Sequence, residues 1–203
     1  MSTIKTTNIT HGSNSGTANM ILASDGKVTI PEKKLYCPGA IVQVVQSVKT
    51  DTHDGTAGAG TWEDIDGTDH DGSGSVWCCS ITPTAATSKI LVDISVNSGS
   101  SNWSVFWKLL RDSTPLGVGP DLGGNRSEAT FVSGYPNHAD GMSNGSYKYL
   151  DDPDSTSKLI YKIQGSHRAA SLTWKVNRSN NDGNYAYIFS TTSTITLMEV
   201  AGT

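Results

Sequence analysis

A strict two-residue alternation governs the C-terminal quarter of the chain and leaves few folds open to it. Leu159, Tyr161 and Ile163 form one series, Leu172, Trp174 and Val176 a second, and Ile195 and Leu197 a third, with Glu199 on the parity of Ile195. Side chains two apart project from one face of a strand, so each series gives a sheet one apolar and one polar face. No helical period competes across residues 149–200. Turn formers separate the series: Asp151-Asp152-Pro153-Asp154, Gly165-Ser166-His167 and Ser179-Asn180-Asn181-Asp182-Gly183. Such a stretch folds as antiparallel strands joined by short loops.

The rest of the chain is consistent with that reading. Ser and Thr make up about a quarter of the 203 residues and charged residues only 17%, a mixture suited to hydroxyl-rich strand faces and poor in helix formers. Further strands are expected at 41–48, 75–81, 88–97, 103–111 and 128–135. Ile90, Val92, Ile94 and Val96 share one face of their strand, and Trp103, Val105, Trp107 and Leu109 one face of the next. Large aromatics on such inward faces are expected in the core rather than on a sugar-stacking platform. The strand at 41–48 has apolar residues on both parities and should be covered on both faces.

Residues 1–34 contain three short strand-like pieces, each too poor in apolar residues to bury a core alone. Residues 31–39, bracketed by Pro31 and Pro38, read as a linker. The expected organisation is therefore an extended N-terminal arm and linker at 1–39, followed by an all-β, antiparallel, jelly-roll-like β-sandwich at 40–203.

The formal net charge is -4 and the basic residues are scattered, which speaks against a nucleic-acid partner. No apolar run approaches the ~20 residues of a membrane helix, and residues 1–7 lack the pattern of a signal peptide, so neither a membrane nor an export route is expected. Cys37, Cys78 and Cys79 are odd in number with no repeated spacing. That argues for packing in a reducing compartment rather than a disulfide framework, with at least one of the adjacent pair buried.

The series LDDPDSTSKLIYKIQ, TWKVNRS and STITLMEV resembles the terminal β-sandwich of tail-fibre and related virion appendage proteins of marine, cyanophage-like bacteriophages. The likeness covers residues 88–203 and again 1–34, and it rests on strands and turns without a catalytic signature. It implies a non-enzymatic virion subunit, assembled in the host cytoplasm as a homotrimer. The arm would wrap with its copies or dock on other virion proteins, and the body would contact a host surface glycan or protein. A capsid-decorating cement or head-fibre protein is the alternative within that class. A glycan-binding or glycan-degrading sandwich is the alternative outside it.

Candidate sites lie in the polar stretches. Residues 136–149 read as a loop rich in Asn, Gly, His and Tyr, types that serve binding loops on other β scaffolds. Tyr135, His138, Asn144, Tyr147 and Tyr149 are the candidate ligand contacts. Residues 50–74 hold seven carboxylates, two histidines and one Trp, and read as an acidic loop or an arm reaching to a neighbour. Asp69, Asp71, Ser73 and Gly74 match the opening of a calcium loop, but Ser80 stands where such a loop needs Glu. No cofactor is expected, calcium there being the exception. Glu63, Asp64 and Asp66 would have to converge in a groove to hydrolyse a glycan.

Overall fold

The computed structural model describes residues 6–10, 20–30, 38–181 and 183–202. Most of the expected linker, its Pro31, the turn at 11–16 and Cys37 lie outside the described residues. Within them there is no helix, and therefore none long and apolar enough to cross a membrane. The strands are β1 (Asn8–Ile9), β2 (Met20–Leu22), β3 (Val28–Thr29), β4 (Ile41–Lys49), β5 (His53–Gly55), β6 (Glu63–Asp64), β7 (Cys78–Ile81) and β8 (Lys89–Ser100). They continue with β9 (Val105–Arg111), β10 (Thr114–Leu116), β11 (Phe131–Ser133), β12 (Ser143–Asp151), β13 (Leu159–Ser166), β14 (Trp174–Val176) and β15 (Ser193–Val200).

Two antiparallel sheets make the sandwich. In one, β8 is flanked by β12 on one side and by β15 and β14 on the other, with β4 beyond β15 and β5 beyond β14. In the other, β13 and β9 are central, β6 and β7 border β13, and β10 and β11 border β9. The alternation seen in the sequence becomes the core: Ile90, Val92, Ile94 and Val96 of β8 are buried against Val105, Trp107, Leu109, Tyr161 and Ile163 of the facing sheet. The chain enters and leaves this body at one place, because Gly39 N–H donates to Ala201 O and Ala201 N–H to Ala40 O.

Three tryptophans anchor the interior, each with its indole N–H satisfied. Trp77 donates to Ser47 Oγ at 3.1 Å, Trp107 to Ser133 Oγ at 2.8 Å and Trp174 to the carbonyl of Ala57 at 3.2 Å. Trp174 meets Trp107 edge-to-face at 5.4 Å and lies over Gly55 and Gly165. A Cβ at those glycines would stand 2.0 and 2.4 Å from its ring, so the backbone approach requires residues without a side chain. Both thiols of Cys78 and Cys79 are buried, and burial pushes them up to about 11 and about 12, respectively. They pack as small hydrophobes.

Several expectations are corrected. Trp103 is not a core residue: the strand begins at Val105, Trp103 has φ +65°, and its ring is 54% exposed. The hydroxyl of Ser100 bonds the carbonyls of Asn102 and Trp103, closing a tight turn that takes the side chain off the strand's inward parity. The strand β4 is covered on one face only, with Val42, Val44 and Val48 exposed, because it borders its sheet and among the described residues no third layer lies over it. Residues 143–149 are not loop but most of β12, paired with β8 along its length. The acidic stretch 50–74 is no free loop or arm. It crosses between the sheets as β5 and β6 and buries Ile65 completely. The three pieces of the arm form strands, paired as a small antiparallel sheet in the order β1-β2-β3. As its composition implies, that sheet leaves Ile9, Ile21 and Val28 exposed.

Candidate functional site

The five sequence candidates do not converge. Tyr147 lies between Phe131 and Tyr149, stacked at 5.8 and 6.4 Å, so both tyrosines pack along the sandwich. Their parity explains this: Tyr147 and Tyr149 pair with Ile94 and Val92, whose side chains point inward. Asn144 donates its amide across the sheet to Ser95 Oγ and Asn97 Oδ1. Tyr135 is half-buried and His138 exposed in the turn beyond β11, where His138 Nδ1 accepts the N–H of Asp140.

The acidic residues are also occupied. Both oxygens of Asp69 accept from Ser80, through its N–H at 2.9 Å and its hydroxyl at 2.5 Å, and His70 N–H adds a bond of 2.7 Å. Asp71 turns to Ser73 N–H, and among the described residues no group of three or more His, Cys, Asp or Glu stands close enough to share a metal ion. Glu63 accepts the N–H groups of Thr56 and Ala57, while Asp64 bonds Lys162 and Gln164. Asp66 Oδ2 lies 3.3 Å from His53 Nδ1. These carboxylates shape the backbone around them.

Burial raises the Asp69 carboxyl, but the bonds from Ser80 and His70 outweigh it and hold the group down at about 2. A carboxylate depressed in the folded state stabilises above its unfolded value, and that contribution is lost as pH falls toward the folded value. Asp69 should therefore supply on the order of 1–2 kcal/mol above about pH 4 that is gone near pH 2. Denaturant midpoints between pH 5 and 2 should fall less steeply in Asp69→Asn than in the wild type. Parallel curves would show that Asp69 is not the acid-sensitive group.

A concave site appears elsewhere, at the end of the sandwich where β8 finishes and β9 begins. It encloses about 390 Å³. Phe106 and Ser166, register partners on the outer face of β9 and β13, form its floor. One wall is the turn carrying Ala59, Gly60 and Trp62, and the other is the segment carrying Asn125 and Ser127. The first wall is fixed to β13 by backbone: His167 N–H donates to Ala57 O, and Ala59 N–H to His167 O. Gly60 has φ +88° and a Cβ there would reach Ser127 Oγ at 2.9 Å, so the two walls meet over a glycine.

Two cations rest on tryptophan faces at this end. Lys108 Nζ lies 4.2 Å above the Trp62 ring and the Arg168 guanidinium 4.2 Å above Trp103. Burial pushes the His167 imidazole down, opposed by the carbonyls of Asn102 and Trp103, so it does not carry the positive charge of the site. Sequence reading missed Trp62, Phe106, Asn125, Ser127 and Arg168, which come from four separate segments. The only available signals were an aromatic in an otherwise polar stretch and Phe106 on the outward parity beside Trp107.

No family model matches the chain, and no curated protein matches its sequence.

Proposed function

We propose that the chain is a non-enzymatic adhesive subunit of a virion appendage that holds a saccharide of a host surface in the concavity at 59–62, 106, 125–129 and 166–168. The observation that carries this is the composition of that concavity. Aromatic Trp62 and Phe106 offer flat apolar faces, and Asn125, Ser127 and Arg168 offer hydrogen bonds, the combination by which sugar rings are stacked and oriented. The placement supports it as well. The arm joins the body beside Ala201, near the Lys89 end of β8, whereas the concavity lies beyond Ser100. Roughly 35 Å of strand separates them, so one end is free to attach while the other binds.

Binding is favoured over hydrolysis because Glu63, Asp64 and Asp66 are each engaged in other contacts and do not line the concavity. Self-association is part of the same proposal. Among the described residues nothing covers Ile9, Ile21 and Val28 of the arm sheet, further chains would cover them, and three copies are the assembly that the family resemblance implies.

Retention on a panel of immobilised polysaccharides tests the reading. Wild type should be retained on at least one member, and Trp62→Ala should lose at least ten-fold in affinity with an unfolding midpoint shifted by no more than ~1 kcal/mol. Light scattering on the same samples should give the mass of a trimer. Equal retention of Trp62→Ala would remove the concavity from consideration, and a monodisperse monomer would remove the assembly.

A further inference from the structure

We infer that the saccharide held in this concavity is anionic, carrying carboxylate or sulfate groups; the inference rests on the saccharide-binding reading above. The cations of the chain carry it. Lys27, Lys49, Lys89, Arg111, Lys148, Lys158, Lys162, Lys175 and Arg178 are each ion-paired with an aspartate. Among the described residues the remaining cations are Lys108, Arg126 and Arg168, and no carboxylate stands within pairing distance of them. Two of them stand at the same concavity: Arg168 lines it and Lys108 lies on the Trp62 ring that lines it, whereas Arg126, like Glu128, neighbours lining residues in sequence without lining the site itself.

A chain of net charge -4 repels anions at long range, so unpaired cations gathered at one place mark where an anion is accepted. Their supports differ from those of the paired cations. Lys108 and Arg168 are held against indole faces and Arg126 by the carbonyls of Leu122 and Gly123, so the position of each is fixed without a counter-ion. A guanidinium so placed presents a planar fork of N–H donors that matches a carboxylate or a sulfate in bidentate fashion. Trp62 and Phe106 supply the stacking for the sugar ring, and the cations select rings that bear charge. Glu128, the carboxylate beside the wall, is not part of the lining.

A matched series separates the possibilities: neutral dextran, carboxymethyl-dextran and dextran sulfate, titrated calorimetrically against the full chain at low and at physiological salt. Binding of either or both charged polymers at least ten-fold tighter than dextran, weakening with salt, is the expected result, and the two charged arms tell carboxylate from sulfate. Arg168→Gln should abolish most of that preference. Lys148→Gln removes an equal charge from the outer face of β12 and should leave it intact. Equal binding of dextran and its charged derivatives, lost in Trp62→Ala and unchanged in Arg168→Gln, would overturn the anionic inference while leaving saccharide binding in place. Binding of none of the three would overturn the anionic inference, while the saccharide reading itself falls only with failure on the polysaccharide panel. An equal loss in Lys148→Gln, or equal affinity for duplex DNA, would reduce the effect to unspecific polyanion attraction and overturn the inference.

Discussion

Replacing Trp174 by alanine is expected to lower the unfolding free energy by ~3–5 kcal/mol, the range for deleting a fully buried large aromatic. The ring is completely buried, meets Trp107 edge-to-face and stacks obliquely on His53 at 5.1 Å. Because Gly55 and Gly165 have no side chains to move into the space, the cavity should collapse only in part, which places the cost toward the upper end. A functional consequence follows through the indole N–H. Its acceptor, Ala57 O, also receives the N–H of His167 at the foot of the concavity, so Trp174→Ala should weaken saccharide retention too. Urea titrations followed by circular dichroism check the first part. An unchanged midpoint would show that Trp174 is not an anchor of the interior.

The second large effect is expected at Asp151. Its carboxylate, nearly inaccessible to water, accepts from the Arg111 guanidinium at 2.7 Å and from the Tyr161 hydroxyl at 2.6 Å, tying the end of β12 to β9 and β13. Burial and the adjacent carboxylate push the Tyr161 phenol far up, so it remains a donor throughout the accessible pH range. Asp151→Ala leaves a buried hydroxyl without an acceptor and a guanidinium without its counter-ion. The cost should be ~2–4 kcal/mol, somewhat below that of breaking a fully enclosed pair because Arg111 keeps partial contact with water. Tyr161→Phe in the Asp151→Ala background should cost much less than in the wild type, with a coupling of ~1–2 kcal/mol in a double-mutant cycle. Strict additivity would mean that the two side chains act independently.

The parts of the fold that can be read from the sequence are those where one face of a strand is buried and the other is not. The series Ile90 to Val96 and Leu159 to Ile163 declare their inward faces directly, and Glu199 follows its parity into the interior. There its carboxylate is satisfied by Thr84 and Gln43. Parity fails where strand ends are set by local bonds, as at Trp103, and where pairing overrides composition. The sequence SNGSYKYLD looks like a loop because Gly145 and Asn144 are turn formers. Gly145 is instead a close-approach position, where a Cβ would lie 2.5 Å from Ser133 Oγ, and β8 supplies the ladder that the sequence lacks.

The concavity was out of reach for a related reason. Its residues belong to two turns, one strand and one strand end, and no spacing in the sequence links them. What brings them together is the pairing of β9 with β13 and the backbone tie between residues 57–59 and 167. The unpaired state of Lys108, Arg126 and Arg168 is likewise invisible in composition, since it is defined by where the aspartates go.

The shared entry and exit of the body has a mechanical consequence. Residues 40 and 201 are neighbours at one end of the antiparallel pair β4–β15, so tension applied between them would peel the two strands apart one hydrogen bond at a time. Tension applied between residue 40 and the opposite pole runs along the strands instead and loads the whole ladder in shear. Were the body anchored by its arm and pulled by a bound target, as proposed, it would be stressed in the second direction, the one in which the bonds of β4 and β15 share the load.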